Sequence, residues 1–336
     1  MTTPSGSISA QDIKNEFGET GSGSVSLGSY RVSQTKGELT LAIGDGVPTS
    51  GAISYDNMRN KRLNIVVDYY SGGTITRQDN GDNTMNAKNR YVNQNDKVHV
   101  IGGLKSKPSD TSGHRVRIHV NKTLGGKGGG QNYCALRTGS WNSSTSLIVD
   151  VGGEGAIYGG GGAGGQGGDV DTSGHAGENG ASALGIDYNG TTVNVASGGL
   201  LRCGFGGGGG GGAGRQNDKG SERTVGGGGG GGGQGYPGGA GGSEGNADHG
   251  QGPGSAGDIS EAGEGRGGGN NGNQAYSGGG GEGGSIGEGA DGGGGGNHGA
   301  GSGGGDGAAI RKTAGIAFSL TNNGTITGST SANDVS

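Results

Sequence analysis

Two pentapeptides, Gly241-Gly242-Ser243-Glu244-Gly245 and Gly283-Gly284-Ser285-Ile286-Gly287, match the pattern that presents a nucleophilic serine for acyl transfer. That chemistry needs a strand before the serine and a helix after it, and neither flank supplies them. In sequence that is about half glycine, roughly one serine in four matches by chance. Gly-x-Gly-x-x-Gly matches fail equally, because no βαβ unit surrounds them to aim a helix N-terminus at a phosphate. Ile310-Arg311-Lys312-Thr313 lacks the glycine that precedes the lysine of a Walker A loop. Gly164-Gly165-Gln166-Gly167-Gly168-Asp169-Val170-Asp171 approaches one calcium-binding nonapeptide, but Asp171 stands where an apolar residue belongs and no tandem copy follows. Asp169 and Asp171 are therefore read as an exposed acidic loop. His99, His114 and His119 sit on strand-like segments without a carboxylate or cysteine at ligand spacing, which makes them outward ladder positions rather than a metal cluster. Cys134 and Cys203 lie far apart and are read as two free thiols, with a bridge as the alternative. The chain is expected to be non-enzymatic, with no cofactor and no metal.

The elements that must position any binding residues are unusual. Of 336 residues 95 are glycine, and 74 of those follow residue 150. Apolar residues make up 26% and charged residues 16%, too little of the first for one large conventional core and too little of the second for a polyelectrolyte tail. Collagen is excluded, because no strict third-residue period holds and there are 5 prolines. The formal net charge of −5 disfavours nucleic acid as a partner, although Lys105, Lys107, Arg115, Arg117 and Lys122 make the middle locally basic. The first residues carry neither a basic nor an apolar leader region and no stretch reaches the length of a membrane span, so neither export by signal peptide nor membrane insertion is expected. The sequons at Asn121, Asn142, Asn189 and Asn323 are accordingly read as chance.

The expected architecture is mostly β and irregular, in three parts. Residues 1–62 form a small α/β leader module: Ser9-Ala10-Gln11-Asp12 fits a capping box that opens a helix with Ile13 and Phe17 inward and a stop at Gly18. Val25, Leu27 and Tyr30 alternate after it, and residues 53–58 predict a second capped turn. Residues 63–145 alternate at period two and predict an antiparallel β-domain. In residues 146–336 a strand, a Gly or Asn-Gly turn and a second strand recur at 146–158, 192–205 and 315–328, which predicts β-hairpins bracketing the glycine tract.

Runs such as 206–212, 226–233 and 292–296 hold nothing but glycine. A lone polyglycine segment loses more backbone entropy on ordering than any other and should be a flexible linker. Laterally packed left-handed extended helices remove that objection: with three residues per turn and no Cβ, each can satisfy its N–H and C=O groups on its neighbours. A bundle of such polyglycine II helices is expected. The polar segments between runs would then be its exposed loops, and the candidate binding residues are Arg215, Gln216, Asn217, Lys219, Arg223, Tyr236, His249, Asn271, Gln274, Tyr276 and His298, since aromatic and amide side chains on rigidly held loops suit polar ligands.

Residues 8–17, followed by Val25-Ser26-Leu27 and by residues 48–58, resemble a leader module on virion structural proteins of tailed bacteriophages. The broken glycine runs with their strand–turn–strand repeats resemble the receptor-binding adhesins at the tips of phage long tail fibres. That resemblance implies stacked polyglycine helices with variable loops facing the host. It implies a host cell-surface glycan or outer-membrane protein as partner, other phage tail or fibre proteins bound through the N-terminal module, and a location on the virion after synthesis in the host cytoplasm. A homotrimer and a single chain both fit. Two other functions stay open: a structural virion component such as a decoration or collar fibre, and an ice-binding protein of the glycine-rich kind, which irregular runs and charged insertions disfavour.

Overall fold

The computed structural model describes residues 3–17, 24, 26–30, 33–36, 39–42, 48, 50–61, 64–69, 75–76, 85–101, 107–218, 221–269 and 276–335. It is mostly β with few helices. The N-terminal helix α1 (Ala10–Phe17) starts as its capping box requires: the Ser9 N–H donates to Asp12 Oδ2 at 2.8 Å and the Asp12 N–H returns to Ser9 Oγ at 3.2 Å. The Ser9 hydroxyl, which donates to Asp12 Oδ2 at 2.7 Å, and the Ser9 N–H hold the Asp12 carboxyl below its ordinary pKa. Ile13 is buried; Gly18, Val25 and the side chain of Phe17 lie outside what is described. Leu27–Tyr30 and Tyr55–Met58 form single 3₁₀ turns that bury Tyr30 and Met58, and β1 (Ser33–Lys36) pairs antiparallel with β2 (Leu39–Ala42).

Beyond residue 63 the chain winds into rungs of three short strands, one on each of three sheets. The rungs are β3 (Asn64–Tyr69), β4 (Ile75–Thr76) and β5 (Met85–Asn86); then, after helix α2 (Ala87–Asn93) and strand β6 (Val98–Ile101), β7 (Arg115–Val120), β8 (Thr123–Gly125) and β9 (Cys134–Arg137); then β10 (Ser146–Val151), β11 (Ala156–Tyr158) and β12 (Ser182–Ile186). The fourth rung is β13 (Thr191–Val195) and β14 (Leu200–Arg202), interrupted by the hairpin β15 (Gly214–Asp218) and β16 (Ser221–Val225) before β17 (Ile310–Lys312) completes it; β18 (Phe318–Asn322), β19 (Thr325–Thr327) and β20 (Ala332–Asn333) close the stack. Equivalent strands pair in parallel and in register, so like residues stack: Val67, Ile118, Val149 and Val193 form one buried column, and Tyr69, Val120, Val151 and Val195 another.

This corrects two expectations. The segment 63–145 is not an antiparallel domain: β3, β7 and β10 are parallel neighbours, and β6 is the antiparallel edge. Period-two alternation reports which face a residue occupies and carries no strand direction. Nor are the strand–turn–strand repeats hairpins. Their glycine turns are corners that pass the chain from one sheet to the next, as between β10 and β11, and the partner of each strand is its equivalent in the next repeat. Glycine is required there because corners stack closely: a Cβ on Gly155 would overlap the Val120 carbonyl, and one on Gly324 would overlap that of Gly199.

The glycine-rich sequence leaves this stack in two excursions, between β11 and β12 and between β14 and β17. Its straight tracts are 159–168, 174–181, 204–213, 226–233, 238–245, 251–257, 262–269, 277–284, 291–296 and 299–307, running alternately away from the stack and back. The hydrogen bonds run between tracts with a period of three. Gly204, Gly207 and Gly210 donate to Ala181, Glu178 and His175; Gly208 and Gly211 donate to Gly231 and Gly228; Gly209 and Gly212 donate to Asp291 and Gly294. Carbonyls of the same tract accept from tracts 159–168, 277–284 and 299–307, so tract 204–213 has six hydrogen-bonded neighbours. Tract 226–233 is likewise surrounded, by 159–168, 204–213, 238–245, 251–257, 262–269 and 277–284. These two tracts contain the longest glycine runs. With a neighbour on every side no direction is left for a side chain, and a Cβ on Gly208 or Gly229 would overlap the carbonyl of Gly281 or Gly242.

Candidate functional site

Outgoing tracts all end at the pole of the lattice far from the three-sheet stack, and the polar segments there lock onto one another. The largest is the β15–β16 hairpin, in register from Gly214↔Val225 to Asp218↔Ser221. At its base the Arg215 N–H donates to Asn297 Oδ1 at 3.0 Å, and the Arg215 guanidinium pairs with Asp171. His298 Nε2 approaches the other oxygen of Asp171 at 3.6 Å. Asp169 accepts the Asn246 N–H at 2.6 Å, and Asp248 bonds the Thr224 hydroxyl at 2.9 Å. The His249 carbonyl accepts the Gly226 N–H at 3.0 Å, and His249 is exposed.

The pole is therefore a cross-braced surface made from loops far apart in sequence. Arg215, His249 and His298 are brought together in it. Gln216 and Asn217 lie on β15 opposite Arg223 and Glu222. Arg223 and Tyr276 are exposed at the same pole, Tyr276 with 56% of its surface free. Lys219, Asn271 and Gln274 lie outside the described residues. Tyr236 is at the opposite pole, against the stack: its ring lies 6.3 Å from that of Tyr158, over which the Arg202 guanidinium stacks at 4.6 Å.

Asp169 and Asp171 escaped the sequence reading as bracing residues. Only their acidity next to a tract of glycine signalled them, because the partners Arg215 and Asn246 are 44 and 77 positions away. The hairpin was also missed, since its strands carry no apolar alternation. Away from the pole, His99 Nε2 meets the buried Asp68 at 3.4 Å, and His119 stands in register between Asp68 and Asp150. Burial lowers the His119 pKa against the pull of those carboxylates. Both cysteines are free and buried, and burial pushes each thiol up to about 12.

No helix among the described residues is long and apolar enough to cross a membrane. No family model matches the sequence, and no curated protein matches it. Among solved structures, the chain is similar to the gp37-gp38 adhesin tip complex of the bacteriophage S16 long tail fibre, at 18% identity and a TM-score of 0.40 over 95% of this chain and 96% of that one.

Proposed function

We propose that this chain is a non-enzymatic virion protein, a tail-fibre or tail-tip adhesin in which a lattice of polyglycine II helices displays host-binding loops. The observation that carries the reading is the gathering of four described polar segments, around Asp171, the β15–β16 hairpin, Asn246–His249 and Asn297–His298, at one pole of a lattice whose interior is backbone. Such a core tolerates any loop sequence that returns the chain to its lattice position, which suits a surface that must change its ligand without refolding. The ligand class is a cell-surface glycan or the loops of an outer-membrane protein, contacted by Arg223, Tyr276 and the hairpin. The N-terminal module would seat the chain on other tail proteins.

Replacing Arg223 and Tyr276 together by alanine should lower adsorption of the virion to its host cells at least about tenfold while particles assemble normally. Purified wild-type protein should compete with the virion for those cells, and the double variant should not. Unchanged adsorption together with absent competition would leave the structural-component reading in its place.

A further inference from the structure

Tract 277–284 is hydrogen-bonded on part of its circumference only. Its N–H groups at Gly278, Gly281 and Gly284 go to tract 204–213, and those at Gly280 and Gly283 go to tract 262–269. Its carbonyls at Gly278 and Gly281 accept from tract 226–233, and those at Gly279 and Glu282 accept from Gly294 and Asp291. What is left keeps the period of three: among the described residues the N–H groups of Gly279 and Glu282 donate to nothing, and on the side of tract 262–269 the carbonyls of Gly280 and Gly283 accept nothing. In the adjoining tract the carbonyls of Gly292 and Gly295 accept nothing. In the fully surrounded tracts the N–H and C=O of one residue serve two adjacent neighbours. By the same geometry the open donors of one tract and the open acceptors of the other border a single lane.

A groove of about 520 Å³ opens there, lined by Glu264, Gly280, Glu282, Asp291 and Gly292. A second of about 470 Å³ shares Glu264 and Glu282 and adds Glu261. The glycines of this wall are the second observation. A Cβ on Gly294 would meet its nearest atom, the Gly279 nitrogen, at 3.4 Å; on Gly292 the nearest would be 3.5 Å away and on Gly295 3.9 Å, and none of these residues has a left-handed φ. Neither packing nor backbone conformation within the chain demands glycine at these three positions, in contrast to Gly208. Bare backbone with room for a methyl is what the close approach of another backbone needs.

We propose that this lane binds an extended polypeptide segment of the same three-residue period, bearing lysine or arginine, from a partner protein. Such a segment would accept from the Gly279 and Glu282 N–H groups and donate to the Gly292 and Gly295 carbonyls, a three-period counterpart of strand addition to a sheet edge. Its cations would meet Glu264, Glu282 and Asp291. The same carboxylates argue against a second copy, whose lane would bring like charges together. The proposal does not rest on the adhesin reading.

The test uses full-length protein and a labelled synthetic peptide of four Gly-Gly-Lys repeats, followed by fluorescence anisotropy. Saturable binding is expected, weakened at least about tenfold by Gly294→Leu at unchanged melting temperature. Gly267→Leu, at a position with no neighbour within 4 Å, should bind as wild type. A Gly-Gly-Glu peptide should not bind. Absence of saturable binding up to about 1 mM peptide would overturn the proposal. So would binding that Glu282→Gln with Asp291→Asn abolishes but Gly294→Leu leaves intact, since that is charge attraction without a lane. A wild-type dimer in sedimentation that Gly294→Leu dissolves would assign the lane to a second copy instead.

Discussion

The three-sheet stack and the glycine lattice solve one problem with opposite materials. In the stack, columns such as Val67–Ile118–Val149–Val193 exclude water with side chains, and the backbone is paired within sheets. In the lattice the backbone itself is the core, and each interior residue is bonded to two neighbouring tracts. Apolar content measures order in the first region and is irrelevant to it in the second. The length of a glycine run carries the corresponding information: complete runs of seven and eight fall in the tracts with six neighbours, while peripheral tracts admit Gln166, Glu178, Ser243 or Arg266.

The largest effect should come from violating the interior of the lattice. Gly208→Ala places a methyl into the carbonyl of Gly281, so tracts 204–213 and 277–284 must separate. Overpacking of about 3 kcal/mol is joined by roughly 1 kcal/mol for each hydrogen bond broken as they part. Amide exchange should show protection lost across residues 204–307 but retained in β7 and β10. Gly292→Ala, on the periphery with its nearest contact at 3.5 Å, should change the melting temperature little and that protection not at all. Equal effects of the two substitutions would mean that neighbour number does not govern the glycines.

A somewhat smaller loss should follow from the stack. Ile118→Ala opens a cavity in a fully buried column and should cost about 3 kcal/mol. Its reach should be wider, because both excursions leave from and return to strands of the stack, and their tracts are held in register by β11, β12, β14 and β17. Protection should fall in both regions. The pair of variants thus tests a direction of dependence: the lattice needs the stack, and the stack survives local opening of the lattice.

Sequence showed one region better than the other for the same physical reason. The strands read in 63–145 and at the start of the repeat at 146–158 are present as β7 and β10, and there the period of two coincides with burial of Val116, Ile118, Val120, Leu147, Val149 and Val151. It could not give strand direction, because parallel and antiparallel partners use the same faces, and corners at Gly152 and Gly198 read like hairpin turns. In the glycine-rich part the tracts and their polar interruptions were legible as separate segments. Which segments share a pole was not, since that follows from counting reversals of direction: Tyr236 and Tyr276 look alike in sequence and lie at opposite ends. Ser9 and Asp12 show the contrasting case, a motif closed within four residues and read without loss.

The smallest effect compares the regions through their thiols. Cys134 belongs to β9, and Cys203 stands where the chain leaves β14 for the lattice. Both ordinarily titrate near 9.0, and burial pushes each up to about 12. Because the folded pKa is raised, the unfolded chain loses its thiol protons first as pH rises. Stability from these groups is intact below about pH 9 and falls between there and about pH 12, by roughly 1 kcal/mol per thiol on reaching pH 10. Cys203→Ala should flatten that alkaline slope by about half of the thiol contribution, as read from urea midpoints at pH 8 and pH 10. At pH 8 the native thiols should resist alkylation, being neither ionised nor accessible. In Gly208→Ala, Cys203 should be alkylated while Cys134 stays protected; in Ile118→Ala both should react. Labelling of Cys134 before Cys203 in the lattice variant would reverse the dependence and make the backbone core the support of the side-chain core.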